Sequence, residues 1–374
     1  MDAITFNAQT GKHEAAYAGK DGQLNPTWHG LGQYFTEAMD TLTAFTASGL
    51  DWRVVQEAVF SMRGVNGLLQ SLMEGHAKGE TVWSEEYQAK LVEKHRSASL
   101  INIREDTGLE LGFVSKHYQV VQNVEAFRFL DSLIDEGAMQ YEAAFSLQGG
   151  KQVVVLARMP QVYQVTEGDT QVPYILMNLC HDGTGAVRFG PCMTRTICWN
   201  TLQVALEEKT NGKRRVRELS IPHKGNIQDK LNQAKNILFA SQAKQEEYND
   251  KCILLAEKRM STAEWVQFLD IMCPLMDEKD PDYTERRQEK LKETRQAIRE
   301  AYRNERQDTA PESAWAAFCA VTEHIDHLPR RGANTLQKAE ARFNTTFYGP
   351  GRDMKDRAFQ TACRFAGIEV ATAS

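Results

Sequence analysis

The chain has 374 residues, 42% hydrophobic and 25% charged, with 44 Lys plus Arg against 50 Asp plus Glu and a formal charge of −6. Such a composition excludes wholesale disorder and a uniformly basic nucleic-acid coat, while leaving room for a local basic patch. No apolar run approaches the ~20 residues that span a bilayer, the polar N-terminus lacks a signal-peptide core, and the 7 Cys are odd in number and scattered, so a cytoplasmic chain with reduced thiols and no membrane partner is expected.

In chain order, Asn25-Pro26-Thr27-Trp28-His29-Gly30-Leu31-Gly32 is a turn-rich block. Trp28 and His29 there are candidates for stacking on a base or lining a pocket; equally, Trp28 can be a hydrophobic anchor over a glycine turn. Thr41 to Leu50 reads as a short helix ending near Gly49, and Asp51 to Met62 as a strand pair. Residues 64–100 read as a polar surface insertion with some helix. Leu109 to Ser115 reads as a strand. Asn123 is a candidate N-cap. Val124, Phe127, Leu130, Leu133 and Ile134 then recur at helical spacing before Gly137, which predicts a helix over 124–136.

Tyr141, Ala143, Phe145 and Leu147 alternate with less apolar neighbours, the pattern of a half-buried strand. Gln148-Gly149-Gly150 turns the chain into a return strand over 151–159. A strand over 173–179 follows, then the turn His181-Asp182-Gly183-Thr184-Gly185, then strands over 186–189 and 193–198 broken at Gly190-Pro191. Asn200, with Gln203 three residues on, predicts a capped helix over 201–208. Beyond ~226 the chain turns helical. Apolar positions at multiples of seven predict one long helix over 228–259. Ser261 and Glu264 form a capping box for a helix burying Trp265, Phe268, Leu269 and Met272. Residues 277–309 hold ten acids and nine bases, which predicts a solvated helix or a mobile arm. Thr309 and Glu312 read as a further box, for a helix carrying Trp315, Phe318, Val321, Ile325 and Leu328. Residues 352–365 form the last helix.

The fold class read from this pattern is α+β, with a mainly antiparallel sheet of β-hairpins and packed helices in the middle and a mostly helical C-terminal half. The division is 1–108, an N-terminal segment with the Trp-His-Gly-Leu-Gly block and the insertion; 109–225, the central sheet domain; and 226–374, the helical region with the charged arm 277–309.

Few constellations carry chemistry. His324 and His327, beside Glu323 and Asp326, lack the spacing of a zincin and fit a polar helix edge with a Glu323–His327 pair. Cys180, Cys192 and Cys198 lack the close pairs of zinc sites, and Cys180 beside His181 lacks a partner motif for nucleophilic catalysis. No phosphate-binding glycine motif is present. No metal or cofactor is therefore expected. The electrostatic feature that stands out is basic: Lys209, Lys213, Arg214, Arg215 and Arg217 lie within nine residues. Lys151, Arg158, Arg188 and Arg195 on the sheet extend the track, and Trp199 adds a stacking group. Such clusters bind phosphate backbones by releasing counterions.

Three blocks together resemble the phage/plasmid-like proteins grouped as domain of unknown function 932: Asn25–Gln33, residues 149–202, and Ala314–His327 with Ala341–Phe359. One departure is Trp199, where members tend to carry a polar residue. The resemblance implies a phage, prophage or plasmid context, hence the cytoplasm of a bacterial host, and no agreed activity. Three readings follow. The first is a nucleic-acid-binding protein, with single-strand annealing and recombination as its specific form, single-stranded nucleic acid as partner, and self-association into a homo-oligomer. The second is a protein-interaction factor that inhibits a host protein. The third is a metal-dependent nucleic-acid-processing enzyme using His29, His181, Asp182, Glu323 or His327. Binding is favoured over catalysis because no constellation has catalytic spacing.

Overall fold

The computed structural model describes residues 4–19, 31–134, 139–195, 201–203, 207–210, 213–216, 219–224, 244–327 and 350–369. Its centre is a nine-stranded sheet. The path runs β13 (Thr201–Gln203), β12 (Val187–Arg195), β11 (Asp169–Cys180), β9 (Gln152–Arg158), β8 (Gln140–Leu147), β3 (Ala15–Ala18) and β4 (Gln33–Phe35). β10 (Tyr163–Thr166) also pairs β11, and β16 (Leu219–Ile221) pairs β12. All these pairings are antiparallel except that of β3 with β4. β1 (Phe6–Asn7) and β2 (Lys12–His13) form a small hairpin, and a three-stranded sheet joins β5 (Val54–Ala58), β6 (Ser99–Arg104) and β7 (Leu109–Ser115). With helices dominating the C-terminal half, the class is α+β as expected. The expected division at 108/109 falls inside the β6–β7 hairpin, and β3 and β4 from the N-terminal segment complete the central sheet.

Strand alternation assigns the two sheet faces. One carries Val153, Val155, Ala157, Ile175, Met177, Leu179, Val187 and Phe189, packed against Phe127, Phe129 and Leu130 of α4 (Asn123–Ile134). The other carries Val154, Tyr174, Leu176 and Cys192, also buried. A register shift between Tyr141 and Ala143 marks a bulge in β8. It changes the side-chain parity, so Tyr141 joins Ala144 in the first core while Ala143 lies on the opposite face. The strand is covered on both faces rather than half-buried.

Local capping chemistry starts several helices. Asp40 accepts from Thr43 N at 2.6 Å to begin α1 (Thr41–Ala47), and Gly49 follows at φ +65°. After β5 the expected second strand is absent: Ser61 caps α2 (Met62–Ala77), and α3 (Glu85–His95) returns along it. Helices α2 and α3 meet through glycines. A Cβ on Gly64 would lie 2.4 Å from the His95 carbonyl oxygen, and one on Gly67 2.7 Å from the His95 ring. The large apolar groups of α2 turn outward, with Met62 76%, Leu69 54% and Met73 74% exposed.

The expected helix over 201–208 is corrected. Residues 201–203 form β13, pairing Cys192, Met193 and Thr194, and Glu207 already belongs to the next strand. The open edge of β12 offers a ladder that outweighs a local capping signal. Gly190 and Pro191 do not break β12. They fall in the gap between the partners β16 (on 187–189) and β13 (on 192–194), where the missing proline N–H costs no ladder bond.

In the C-terminal half a helix, α5, covers 244–257 and ends short of the predicted 259, where Arg259 bridges Ser313; residues 228–243 of the predicted helix lie outside the described residues. Ser261 and Glu264 make the capping box of α6 (Thr262–Met272), which buries the four predicted residues. The charged stretch is not simply solvated. Within it α7 (Glu285–Tyr302) buries Arg295, Ile298, Ala301 and Tyr302, and Tyr302 stacks on Trp265 at 3.8 Å. α8 (Ala314–His327) is capped by Ser313, whose Oγ accepts from Ala316 N at 3.0 Å, not by Thr309. It buries Trp315, Phe318, Val321 and Ile325, while Leu328 lies outside the described residues. α9 (Pro350–Phe365) joins α8 through a buried Lys355–Asp326 pair at 2.5 Å.

Candidate nucleic-acid interface

The basic cluster is a separate two-stranded ribbon. β14 (Glu207–Thr210) pairs β15 (Lys213–Val216) in the register Glu207↔Val216, Glu208↔Arg215, Lys209↔Arg214 and Thr210↔Lys213. In sequence the ribbon lies between β13 and β16, which pair neighbouring stretches of β12. It is thus rooted at the sheet edge, beside the Gly190–Pro191 gap. Its register sets Lys209 opposite Arg214 and Glu208 opposite Arg215. Arg188, on β12, is the register partner of Ser220 on β16 at the root. Arg217 and Trp199 lie outside the described residues, as do Trp28 and His29.

The sheet cations separate by strand parity. Arg158 is opposite Tyr174, and Arg188 opposite Asn178, on the same sheet face. Both are half-buried. Beside Arg158, Tyr174 donates its hydroxyl to Glu142 at 2.7 Å, and burial raises its pKa well above the ordinary value. Lys151 sits at the turn before β9, where its carbonyl accepts from the His181 amide at 2.8 Å.

Arg195 corrects the expectation of a continuous track. Seven residues from Arg188, it faces the opposite side of β12 and is fully buried. Its Nε donates to Asp169 Oδ1 at 2.8 Å and Nη2 to Oδ2 at 2.6 Å. Nη1 donates to Gln307 at 2.9 Å, and Trp315 Nε1 donates to the same carboxylate at 2.8 Å. Thr309, predicted as a cap, donates to Asp169 instead at 3.3 Å. Arg195 therefore ties β12 and β11 to the C-terminal helices and has no surface to offer a phosphate. Asp169, Gln307 and Trp315 were not legible as its partners. The odd spacing of 188 and 195 was the available signal.

Of the residues considered for catalysis, His29 lies outside the described residues, while His181 and Glu323 are buried with partners of their own. His181 is fully buried, and desolvation lowers its pKa to about 3, so it stays neutral over the physiological range. Its Nε2 meets Asn123 Oδ1 at 2.8 Å and its ring meets Trp52 edge-on at 5.4 Å. Asn123, predicted as an N-cap, instead donates to the Leu50 carbonyl at 3.0 Å, tying α4 to the chain before β5. Burial pushes the Cys180 thiol up to about 11 and that of Cys192 to about 12, the reverse of an activated nucleophile. Glu323 pairs with Arg306 at 3.1 Å and accepts from Gln307 at 3.3 Å. No group of His, Cys, Asp and Glu among the described residues is arranged to hold a metal ion.

A family model described as a domain of unknown function matches residues 110–347, well over half of the chain. The chain belongs to the DUF932 family. Neither curated proteins nor solved structures give a match. The DUF932 segment contains β12, the basic ribbon and the Arg195–Asp169 junction, whereas β3, β4 and the α2–α3 hairpin precede it. No helix among the described residues is long and apolar enough to cross a membrane.

Proposed function

We propose that the protein binds nucleic acid through the β14–β15 ribbon, with Lys209, Lys213, Arg214 and Arg215 meeting phosphates and Arg188 at the root. The observation that carries this reading is the ribbon itself. Its two strands, cation-rich in sequence, form a sheet of their own outside the nine-stranded one. Cations clustered on one ribbon neutralise phosphates locally even in a chain of charge −6. The specific form proposed is a phage or mobile-element protein that binds single strands in the host cytoplasm and anneals them as a homo-oligomer. The test is binding of a labelled single-stranded oligonucleotide, with duplex alongside, over a salt series. Salt-dependent binding that favours the single strand supports the reading, and absence of binding at low salt removes it.

A second reading has its own observation. The outward stripe Met62, Leu69 and Met73 on α2, with Trp83 79% exposed in the loop that follows, is the kind of apolar exposure that marks a protein contact. It supports an interaction factor directed at a host protein. Leu69→Asp with Met73→Asp then abolishes capture of that protein and leaves oligonucleotide binding unchanged; equal capture by wild type and variant contradicts it.

A further inference from the structure

Helix α2 packs the reverse of an ordinary amphipathic helix. Its face against α3 is made of small residues: a Cβ added at Gly64, Gly67 or Gly75 would meet His95 or Tyr87, and Ser71 Oγ pairs with His95 Nε2 at 2.9 Å. A glycine inside a helix costs about 1 kcal/mol against alanine, and here three of them let the two helices approach closely. The large apolar groups Met62, Val65, Leu69 and Met73 stand exposed on the other side. A helix normally turns such a stripe toward a core.

Spacing identifies what the stripe fits. Met62, Leu69 and His76 stand seven apart, and so do Asn66 and Met73, four residues after Met62 and Leu69; all five are exposed. This is the alternating spacing of a coiled-coil seam, with Asn66 and Met73 at a and Met62, Leu69 and His76 at d. Gly64, Gly67, Ser71 and Gly75 then fall at b, c and f, so α3 lies behind the seam and leaves it open.

The composition of the seam selects a second copy of the chain. A single Asn at an a position fixes register and a two-stranded state, because another Asn is its best match. Parallel two-fold pairing sets Asn66 against its own copy and keeps all five positions in register. Antiparallel pairing either sets Asn66 against an apolar residue or, with Asn66 against His76, carries Met62 past the end of α2 at Ala77. The flanking contacts of the parallel pair, Val65 with Gln70 and Leu72 with Ala77, are uncharged, so nothing repels the copies. The four apolar groups present roughly 450 Å² on each copy, so pairing removes on the order of 900 Å², near the lower limit for a specific contact. We infer that α2 is a self-association surface on which two copies of the chain pair through a parallel seam of Met62, Asn66, Leu69, Met73 and His76. The inference supplies a contact for the homo-oligomer of the proposed function. It uses no ribbon residue, and it gives the stripe to a second copy rather than to a host protein.

The test is sedimentation equilibrium of the purified full chain, without nucleic acid, from ~1 to ~100 μM. A reversible dimer is expected, half-dissociated in the micromolar range because the contact is small. Leu69→Asp with Met73→Asp should weaken association roughly 100-fold and melt as wild type does, because both side chains are exposed. Asn66→Leu should tighten association roughly 10-fold, since the seam Asn sets specificity at a cost in stability. Asn66→Cys should form disulfide-linked dimers under mild oxidation, where wild type, whose described cysteines are all buried, forms none. A monomer throughout the range overturns the inference and leaves the stripe to the host-protein reading. A dimer that survives the double aspartate change, or that Asn66→Cys does not cross-link, overturns the parallel seam. Because no oligonucleotide is present, failure of the ribbon reading leaves each of these outcomes intact.

Discussion

Arg188 and Arg195 stand seven residues apart on one strand, yet they face opposite sides of the sheet and differ in burial. Arg195 is sealed between β11, β12 and α8, with its charge matched by Asp169 and its remaining N–H groups taken by Gln307 and the Arg306 carbonyl at 3.0 Å. Arg188 lies half-buried on the other face, opposite Ser220 of β16, near the ribbon whose register sets Lys209 opposite Arg214 and Glu208 opposite Arg215. Full burial against a carboxylate makes Arg195 structural, whereas the half-buried position of Arg188 leaves part of it in contact with solvent. Counting basic residues in sequence treats both as one track. Strand parity and burial separate them.

Four predictions test that contrast, beginning with the largest effect. Asp169→Ala strands the buried guanidinium of Arg195 and should cost about 3–5 kcal/mol in denaturant unfolding. Pairing it with Arg195→Met should recover part of the loss, and a double variant as unstable as the single one would contradict the strut assignment. Next comes pH. Burial holds His181 at about 3 in the folded chain, against an ordinary 6.5, so the unfolded chain takes up the proton first. Stability is then full above about pH 6.5 and falls as pH drops toward 3, at up to ~1.4 kcal/mol per unit. His223, also lowered by burial, adds to the same trend. Unfolding curves at successive pH values should show a shallower acid limb for His181→Gln, and an unchanged limb would remove His181 as its source.

Smaller effects sharpen the account of the surface elements. Gly64→Ala improves helix propensity yet places a Cβ 2.4 Å from a backbone oxygen of α3, so it should destabilise the protein by about 1–3 kcal/mol. A stabilised variant would show that α2 and α3 do not meet through that glycine. Last, replacing Lys209, Lys213, Arg214 and Arg215 by alanine should leave stability within about 0.5 kcal/mol, because the ribbon pairs only with itself, outside the nine-stranded sheet. A large loss of stability would make those residues structural, like Arg195.

Much of the helical half was legible because its signals are local. The Ser261–Glu264 box and the spacing of Trp265, Phe268, Leu269 and Met272 each lie within a few turns of one another, and both stand as read. The α+β class followed from the same kind of pattern. What escaped was decided across the sheet. Residues 201–203 carry a helix-start signal but pair the edge of β12. Thr309 looks like a cap but serves Asp169, 140 residues away. Asn123 looks like a cap but holds His181 and the Leu50 carbonyl. In each case a distant partner outweighs a local preference, and no window of sequence contains that partner. The basic cluster was legible as charge; its register as a ribbon was not.

The most direct test of the ribbon is the salt dependence of single-strand binding for wild type against the Lys209, Lys213, Arg214 and Arg215 alanine variant. Plotted as log affinity against log salt, the variant should lose about 0.7 of slope for each phosphate contact removed. An unchanged slope in a folded variant would place the nucleic-acid interface elsewhere on the molecule or remove it altogether.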